Sequence, residues 1–171
     1  MTHPATEKVV QLFAERSVPF RMIEHPPCRT SEESAKARAV QGHTVCGAKA
    51  IVVKMNWKGS RSEFNVLVLP GPSKIAAKLL SQHLPDLKDF RFATREELAA
   101  HTEGLEPGMM PPFARPIFER LNNLYIDSSL LDHDDVGFNV ADLTRSIVVA
   151  SRDYLDVASP TAVFPFAALS A

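Results

Sequence analysis

The residues AKAIVVKM at 48–55 and FNVLVL at 64–69 decide the fold class of this 171-residue chain. Both are short, nearly unbroken apolar runs rich in β-branched residues, a pattern typical of buried strands. The residues between them, 56–61, contain Gly59 and turn the chain. Together the two runs predict an antiparallel hairpin with a long loop.

Three elements are predicted before this hairpin. Thr6 is a candidate N-cap for a helix that ends before Pro19, because the residue preceding a proline disfavours the helical conformation. Residues 20–24 alternate between apolar and polar side chains, as a half-buried strand does. Ser31 is a candidate N-cap for a short polar helix with acids in its first turn, and this helix is expected to end near Gly42.

After the hairpin, helical and extended patterns alternate. Ser73 is a candidate N-cap for a helix that runs to about Leu84, and Thr94 begins a capping-box sequence for another short helix. Further elements are predicted as strands at 124–127, 136–140 and 146–150, a last helical turn at 151–155 and an apolar strap at 163–166. The pattern predicts a mixed α/β domain with six or seven short strands and four or five short helices.

The composition is that of an ordinary globular protein. Hydrophobic residues make up 45% and charged residues 23% of the chain, and no apolar run approaches the length of a membrane span. The first residues lack the pattern of a secretory signal, and Cys28 and Cys46 are too few for a disulfide framework. We therefore expect a reduced, cytoplasmic protein without a membrane segment.

The net charge of −1 conceals an asymmetry between the two parts of the chain. Residues 1–92 carry a net charge of +6 and residues 93–171 carry −7. Such asymmetry can indicate a polyanionic partner. Alternatively, the two parts interleave in one fold and their charges cancel in space.

Lys49 and the segment 104–113 are the most suggestive features for function. Lys49 begins an otherwise apolar strand, so it either presents a cation to a phosphate at the edge of a cleft or extends from the strand end into water. The segment 104–113 holds two glycines and three prolines in ten residues and cannot form a regular element. A rigid loop between ordered segments is a candidate binding site.

Other candidates have an ordinary alternative interpretation. The sequence contains no P-loop, dinucleotide-binding motif, zinc spacing or nucleophile elbow. Trp57 can stack on a nucleotide or pack at the rim of the hairpin. Cys28 and Cys46 are either nucleophiles or small buried residues. Three aspartates close together either hold a cation or form a solvated turn (Asp132, Asp134, Asp135).

Three segments in order resemble the YbaK/ProX/EbsC family, the free-standing relatives of the editing domain inserted in bacterial prolyl-tRNA synthetase. The first is HPPCRTSEESA at 25–35, the second is GAKAIVV at 47–53 and the third is the GxxxP loop formed by Gly108 to Pro112. The segments at 25–35 and 47–53 resemble the YeaK-like branch most. The resemblance covers roughly residues 5–158 and implies a single editing domain over 1–171, with a mixed, largely antiparallel, curved sheet surrounded by short helices.

The resemblance also implies an activity and a mechanism. Such proteins hydrolyse the ester that joins a wrong amino acid to tRNA, acting on free mischarged tRNA. The lysine that matches Lys49 engages the terminal phosphate of the tRNA, and the loop that matches Gly108 offers backbone groups, including a carbonyl for the substrate ammonium. Water attacks without a protein nucleophile. No cofactor and no metal are expected.

The same resemblance implies a substrate pocket and leaves its selectivity open. The expected substrate-binding residues, in addition to the catalytic Lys49 and Gly108, are His25, Thr30, Met109, Met110, Pro112, Asp127 and Asn139. The two methionines, together with Gly137, Asn139 and Asp127, depart from residues that relatives carry. We expect a small amino acid of the Ala, Ser or Thr type.

Two other functions remain as alternatives. The domain can be a catalytically inactive module that binds tRNA or a synthetase, since a fold alone does not imply an activity. It can also hydrolyse another small ester or amide through Cys28 or Cys46. For the editing enzyme, the expected partner is the acceptor end of aminoacyl-tRNA, with an aminoacyl-tRNA synthetase as a second candidate partner. The expected assembly is a monomer or a homodimer.

Overall fold

The computed structural model describes residues 2–40 and 45–169. Within these residues the chain forms five helices: α1 (Pro4–Glu15), α2 (Ser31–Val40), α3 (Ala77–His83), α4 (Arg95–His101) and α5 (Ser151–Ala158). A short 3₁₀ helix lies between α4 and α5 in the chain, at Ser128–Asp132. No described helix is long and apolar enough to cross a membrane. The predicted end of α2 near Gly42 lies outside the described residues.

The described residues form ten strands: β1 (Arg21–Glu24), β2 (Cys46–Trp57), β3 (Arg61–Pro70), β4 (Ser73–Ile75), β5 (Leu87–Phe92), β6 (Leu124–Asp127), β7 (Asp135–Asn139), β8 (Arg145–Ala150), β9 (Ala162–Phe164) and β10 (Ala167–Leu169). Every strand predicted from the sequence is present. The prediction of six or seven strands is wrong, because it missed β4 and β5 and treated the C-terminal residues as an apolar strap rather than as strands.

Seven strands form one path in the order β1-β8-β7-β2-β3-β6-β9, and β5 adds to the side of β2. The sheet is mixed and mainly antiparallel, which confirms the predicted fold class. Along this path, β1 and the β2–β3 pair from residues 1–92 are separated by the β8–β7 pair from residues 93–171, and the β6–β9 pair follows. The positive and negative parts of the chain are therefore interleaved in one sheet, so the charge asymmetry of the sequence does not separate into two ends of the molecule.

The central hairpin separates two hydrophobic clusters. β2 and β3 pair in register from Ala48 opposite Pro70 to Trp57 opposite Arg61. Ala48, Ala50 and Val52 pack with the cluster that contains α1 and the 104–113 segment. Ile51 and Val53 pack with the second cluster, on the opposite face of the strand. This alternation follows from the two-residue period of a strand and fixes the face on which each β2 side chain lies.

The predicted N-caps of α1 and α2 are each displaced from the observed ones. Thr6 lies inside α1, where its hydroxyl donates to the Val140 carbonyl at 2.7 Å, and the His3 side chain caps the helix. At α2 the cap is Thr30 rather than Ser31, because the Thr30 hydroxyl accepts from the Glu33 amide at 3.1 Å. The capping box at Thr94 is confirmed. Neighbouring polar residues can take the same capping role, and at α1 a tertiary contact engages the predicted one, Thr6, elsewhere.

The prediction that Ser73 caps a helix is wrong. Ser73 lies in β4, which pairs antiparallel with β10, and Leu169 lies opposite it. The helix begins later, with Ala76 as an N-cap that makes no side-chain hydrogen bond. Pairing with a strand some ninety residues away overrides the local capping signal.

Trp57 packs rather than presenting its ring to solvent. It is 7% exposed and belongs to the second hydrophobic cluster. The Arg61 guanidinium lies 5.1 Å from the centre of its ring, in the range of a cation–π contact. Of the two interpretations left open by the sequence, the structure therefore supports packing.

Asp127 anchors the C-terminal segment to the sheet. Its side chain is buried, and Oδ1 accepts hydrogen bonds from the amides of Phe166 at 2.7 Å and Ala167 at 2.8 Å. Its Oδ2 accepts from the amide and the hydroxyl of Ser129. One carboxylate thus holds two amides of the segment that leads into β10.

Replacing this carboxylate should destabilise the fold. Asp127→Ala removes the acceptor of several buried donors, and a buried donor without an acceptor costs about 1–3 kcal/mol. We expect the free energy of unfolding in urea to fall by about 2–4 kcal/mol. Asp132→Ala, at an exposed aspartate nearby, is the matched control and should change it by less than about 0.5 kcal/mol. Equal stability of the two variants would contradict the anchoring role.

Candidate functional site

A gap in the pairing of β2 creates the candidate site. On one side, β3 pairs with the strand from Ala48 to Trp57. On the other side, β7 pairs only with Cys46 and Gly47, and β5 pairs only from Val53 onward. Among the described strands, none pairs with the stretch between these two contacts. This stretch is therefore an open sheet edge inside the molecule.

Backbone groups of the gap face into the open space. The Val52 carbonyl accepts from the Ala93 amide at 2.9 Å on the open side, whereas the Gly47 carbonyl accepts from Gly71 at 2.8 Å on the β3 side. Peptide groups alternate in direction along a strand, so the N–H and C=O of Ala50 point the same way as the Val52 carbonyl. Ala50 thus offers both a donor and an acceptor at the middle of the gap.

A cavity of about 500 Å³ surrounds this edge, a size ordinary for small-ligand sites. Five separate parts of the chain form its wall, which is largely apolar and contains a few polar side chains. The described residues that line it are Arg29, Thr30, Ser34, Gly47, Ala48, Lys49, Ala50, Ile51, Val52, Phe92, Ala93, Leu98, Pro107, Gly108, Met110, Gly137 and Asn139. None of these is a His, Cys, Asp or Glu.

Gly108 lies where the 104–113 loop meets the segment before α2. Its φ is +92°, and a Cβ at this position would lie 2.6 Å from the Arg29 carbonyl oxygen. Both the backbone conformation and the close approach therefore require glycine. The neighbouring Glu106 carboxylate lies 3.4 Å from Arg29 and 3.5 Å from Arg95, so one acid is shared between two exposed cations at the side of the cavity.

Asn139 joins this loop to the segment before α2. Its Nδ2 donates to the Gly108 carbonyl at 2.8 Å and to the Cys28 carbonyl at 3.1 Å. Its Oδ1 accepts from the Ser146 hydroxyl at 3.1 Å. The side chain is 9% exposed, so these bonds are largely shielded from water. Asn139 therefore fixes the position of a loop carbonyl at the cavity wall.

His25 reaches the cavity only through other residues. Its ring is buried, with Nε2 2.8 Å from the Ser146 hydroxyl and Nδ1 2.9 Å from the Pro26 carbonyl. Ser146 in turn contacts Asn139, so the histidine supports the residue that holds Gly108. It is not among the described residues that line the cavity.

Lys49 lines the cavity from the face of β2 opposite Ala48 and Ala50. Its ammonium donates to the Ser73 carbonyl at 2.6 Å. Partial burial, and then the nearby charge of Lys74, lowers the pKa of the Lys49 ammonium from its usual value. One ammonium proton is used in this contact, which leaves two for a ligand.

Thr30 and Met110 also line the cavity, in different settings. The Thr30 hydroxyl accepts from the Glu33 amide at 3.1 Å, and the Thr30 side chain also forms a hydrogen bond with the Glu33 carboxylate. Hydrogen bonds from the Arg29 and Thr30 amides lower the pKa of the Glu33 carboxyl. Met110 is buried and forms part of the apolar wall next to the first hydrophobic cluster.

Three other residues predicted for substrate binding do not line the described cavity. Met109 packs against the first hydrophobic cluster. The carbonyl of Pro112 accepts from the buried Tyr154 hydroxyl at 2.7 Å, and burial raises the pKa of that phenol. Asp127 is the anchor of the C-terminal segment. Their positions give each of them a structural role beside the cavity rather than a place in its wall.

The cysteines and the acidic turn also lie away from the cavity wall. Cys28 is buried, with its Sγ 3.2 Å from the Pro26 carbonyl, and Cys46 is half-buried. Asp132 and Asp134 are exposed and Asp135 is half-buried. Among the residues that the structure describes, no three His, Cys, Asp or Glu side chains group together as a metal site would require.

Phe92, Ala93 and Leu98 are cavity residues that the sequence interpretation missed. Phe92 is the last residue of β5, Ala93 follows it directly, and Leu98 lies in α4. A signal for β5 is present, because Phe90 and Phe92 alternate with Asp89 and Arg91. The strand was overlooked because this alternation is short and directly precedes a capping box.

Comparisons with known proteins relate the chain to a family of aminoacyl-tRNA editing domains. The family model described as "Aminoacyl-tRNA editing domain" matches residues 25–157. A multifunctional Ser/Thr-tRNA deacylase, ProXp-y, from Escherichia coli strain K12 is 27% identical over 159 residues. That match covers 92% of this chain and 90% of the relative, and the same protein from Escherichia coli O157:H7 matches equally.

Solved structures share the fold. The crystal structure of a protein assigned as a trans-editing enzyme for prolyl-tRNA synthetase has a TM-score of 0.72 at 18% identity, covering 95% of this chain and 96% of that chain. The crystal structure of the hypothetical protein APE2540 has a TM-score of 0.75 at 18% identity, covering 94% and 99%. At these identities the likeness is one of fold.

The close approach at Gly108 predicts that an alanine there destabilises the protein more than an alanine at Gly104, which has a similar φ. Gly104 has a φ of +97° but nothing within 4 Å of an added Cβ, so Gly104→Ala carries only the backbone strain, about 1–2 kcal/mol. Gly108→Ala adds a clash with the Arg29 carbonyl and should lower the free energy of unfolding in urea at least twice as much. Equal losses in the two variants would show that the loop does not depend on this contact.

Proposed function

The chain belongs to the aminoacyl-tRNA editing domain family, since the family model matches residues 25–157, and from this we propose that it is a trans-acting aminoacyl-tRNA deacylase. It hydrolyses the ester of a mischarged tRNA that carries a small amino acid of the Ala, Ser or Thr type. The observation that carries the proposal is one open cavity whose wall contains Lys49, Gly108 and Asn139 together.

The open cavity favours an enzyme over an inactive binding module. A module that had lost turnover would be expected to have its pocket filled by Met110 or Phe113. Met110 instead forms part of the wall, and Phe113 packs in the first hydrophobic cluster. The space that remains, about 500 Å³, can hold an aminoacyl group and part of the terminal nucleoside.

The composition of the wall supports attack by water rather than by a side chain. A nucleophilic hydroxyl or thiol needs an adjacent base, and the described wall contains neither a cysteine nor a histidine or carboxylate. An aminoacyl ester is already activated, so positioning and electrostatic stabilisation can provide much of the rate. We propose that Lys49 supplies a fixed positive charge for the terminal phosphate of the tRNA.

We further propose that the Gly108 carbonyl holds the ammonium group of the amino acid. A carbonyl oxygen has two lone pairs, and Asn139 occupies one of them. The second can accept a proton from the substrate ammonium. Because Asn139 also holds the Cys28 carbonyl, the acceptor stays in place before the substrate arrives. Thr30, Met110 and Asn139 complete the proposed substrate-binding wall.

Two observations support selectivity for a small amino acid: the residues that line the cavity, and the name of the E. coli relative. Leu98 and Met110 narrow the cavity beside Ala48 and Gly137. The E. coli relative is named as a Ser/Thr-tRNA deacylase. Binding separates amino acids that differ by a methyl group by only about 10–200-fold, so a second hydrolytic step is useful for such substrates.

A panel of tRNAs mischarged with Ala, Ser or Thr tests this function. We expect the wild type to release at least one of these amino acids and Lys49→Ala to lower kcat/KM by at least about 100-fold, the scale of losing one electrostatic group. Lys54→Ala changes a half-buried lysine on the same strand and should retain activity. Release of label at the uncatalysed rate across the panel would overturn the proposal, and tight binding without release would favour the inactive module.

The charge of Lys74 should influence the pH range over which Lys49 stays protonated. Burial is the larger cause of the lowered pKa of Lys49 and Lys74 adds to it, so Lys74→Ala should raise this pKa in part and extend the protonated form to higher pH. We expect the titration of the Lys49 Cε carbon, followed by NMR, and the alkaline limb of kcat/KM to move to higher pH together. Lys78→Ala, at another exposed lysine, should move neither, and an unshifted Lys49 titration in Lys74→Ala would contradict this coupling.

A further inference from the structure

Phe92 is an exposed aromatic side chain in the wall of the cavity. It is 57% exposed, although Phe90 on the same strand packs against the second hydrophobic cluster. The other large apolar side chains with marked exposure in the described residues are Met22, Leu131, Val163 and Leu169, and none of these lines the cavity. Because Phe92 lies in the cavity wall, its exposed ring offers an apolar face to a ligand bound there.

Phe92 lies on the same face of the sheet as Lys49. It is directly opposite Val53 in the β2–β5 register, and opposed residues project to the same face. Lys49 and Val53 are four residues apart on β2, so their side chains also share that face, with Ile51 between them. The separation is about 13 Å along the strand, comparable with the length of an aminoacylated nucleoside.

The peptide group between Phe92 and Ala93 is held by hydrogen bonds at both its N–H and its C=O. The next amide, of Ala93, donates to Val52 at 2.9 Å, and the Phe92 carbonyl accepts from the Arg91 guanidinium at 3.1 Å. Arg91 is fixed in turn by Glu97, with distances of 2.7 and 3.0 Å, and Glu97 also completes the capping box of α4. The exposed ring thus stands on an ordered backbone, which reduces the entropy lost on binding.

One cation at the cavity is not balanced by a carboxylate in its wall. Arg29 and Arg95 share the carboxylate of Glu106, and Glu33 also lies close to Arg29, so these charges offset one another. Lys49 adds a cation on the Phe92 side of the strand. A row of an aromatic ring, an apolar residue and a cation matches a nucleobase, its ribose and a phosphate.

We propose that Phe92 is a stacking platform for the 3′-terminal nucleobase of the tRNA, a role that rests on the proposed function. The base lies on the Phe92 ring, the ribose crosses Ile51, and the aminoacyl group passes over the open edge at Ala50 toward Gly108 and Asn139. The nucleotide and the amino acid therefore occupy opposite faces of β2. Stacking of this kind tolerates any base, because every base has a π face.

The test uses two non-hydrolysable ligands, a 3′-serylamino-3′-deoxyadenosine and the same seryl amide on a ribose without a base. Calorimetry measures their affinity for wild type, Phe92→Ala, Phe92→Trp and the control Leu131→Ala, which changes an exposed residue outside the cavity wall. Phe92→Ala should weaken binding of the adenosine ligand by about 5- to 150-fold, the usual range for one stacked base. Phe92→Trp and Leu131→Ala should stay within about threefold of wild type.

The ligand without a base separates stacking from other effects. Phe92→Ala should bind it as wild type does, because this ligand makes no contact with the ring. Unchanged affinity of Phe92→Ala for the adenosine ligand overturns the proposal, as does an equal loss with both ligands or no binding of either by wild type. Base-dependent binding through Phe92 in a protein that releases no amino acid from the mischarged panel would refute the deacylase while leaving the nucleobase platform in place.

Discussion

The unequal pairing of the two edges of β2 is the constraint on which the rest of the site depends. β3 covers one edge from Ala48 to Trp57, whereas the other edge is shared between β7 and β5 with a gap between them. An open edge at the surface would invite pairing with another chain. Here the 104–113 loop, α4 and the start of α2 border the gap, so the N–H and C=O of Ala50 face a cavity of the protein's own.

A buried polar chain beside this gap holds the loop carbonyl in place. Asn139 gives both Nδ2 protons to carbonyls, and its Oδ1 accepts from the Ser146 hydroxyl. His25 Nε2 lies 2.8 Å from the same hydroxyl, and its Nδ1 lies 2.9 Å from the Pro26 carbonyl. Contacts therefore run without a break from His25 through Ser146 and Asn139 to Gly108, and such a buried network favours one position of the loop.

The sequence predicted what depends on local patterns and missed what depends on distant pairing. The apolar runs of β2 and β3 and the capping box at Thr94 are strong local signals, and they were correctly assigned. β4 consists of three residues that pair with β10, so no local pattern marks it, and the local pattern at Ser73 instead predicts a helix cap. The site residues came from the family resemblance rather than from local patterns. Of these, Thr30, Lys49, Gly108, Met110 and Asn139 line the cavity, whereas the others do not line its described wall (His25, Met109, Pro112, Asp127).

Exposure was the hardest property to infer, as the two aromatic residues Trp57 and Phe92 illustrate. Trp57 lies in a polar hairpin next to cations, yet it is buried because β5 and the Asp86 region close over its end of β2. Phe92 belongs to an alternating strand, where an aromatic residue is usually half-buried, yet it stands at the point where β5 leaves β2. Whether such a ring is covered depends on where the neighbouring strand stops, and that is a property of the assembled sheet.

The division of β2 into two faces gives a physical reason for a deacylase without a side-chain nucleophile. Lys49 lies on one face, whereas the loop held by Asn139 lies on the face of Ala48 and Ala50. A substrate that contacts both must bend across the open edge, which places its ester next to backbone groups and away from either set of side chains. The ester is then fixed at both ends, and restricting both ends lowers the entropy cost of reaching the transition state. In the proposed mechanism, the Lys49 cation and the Gly108 carbonyl therefore act by positioning the substrate, and water attacks the ester.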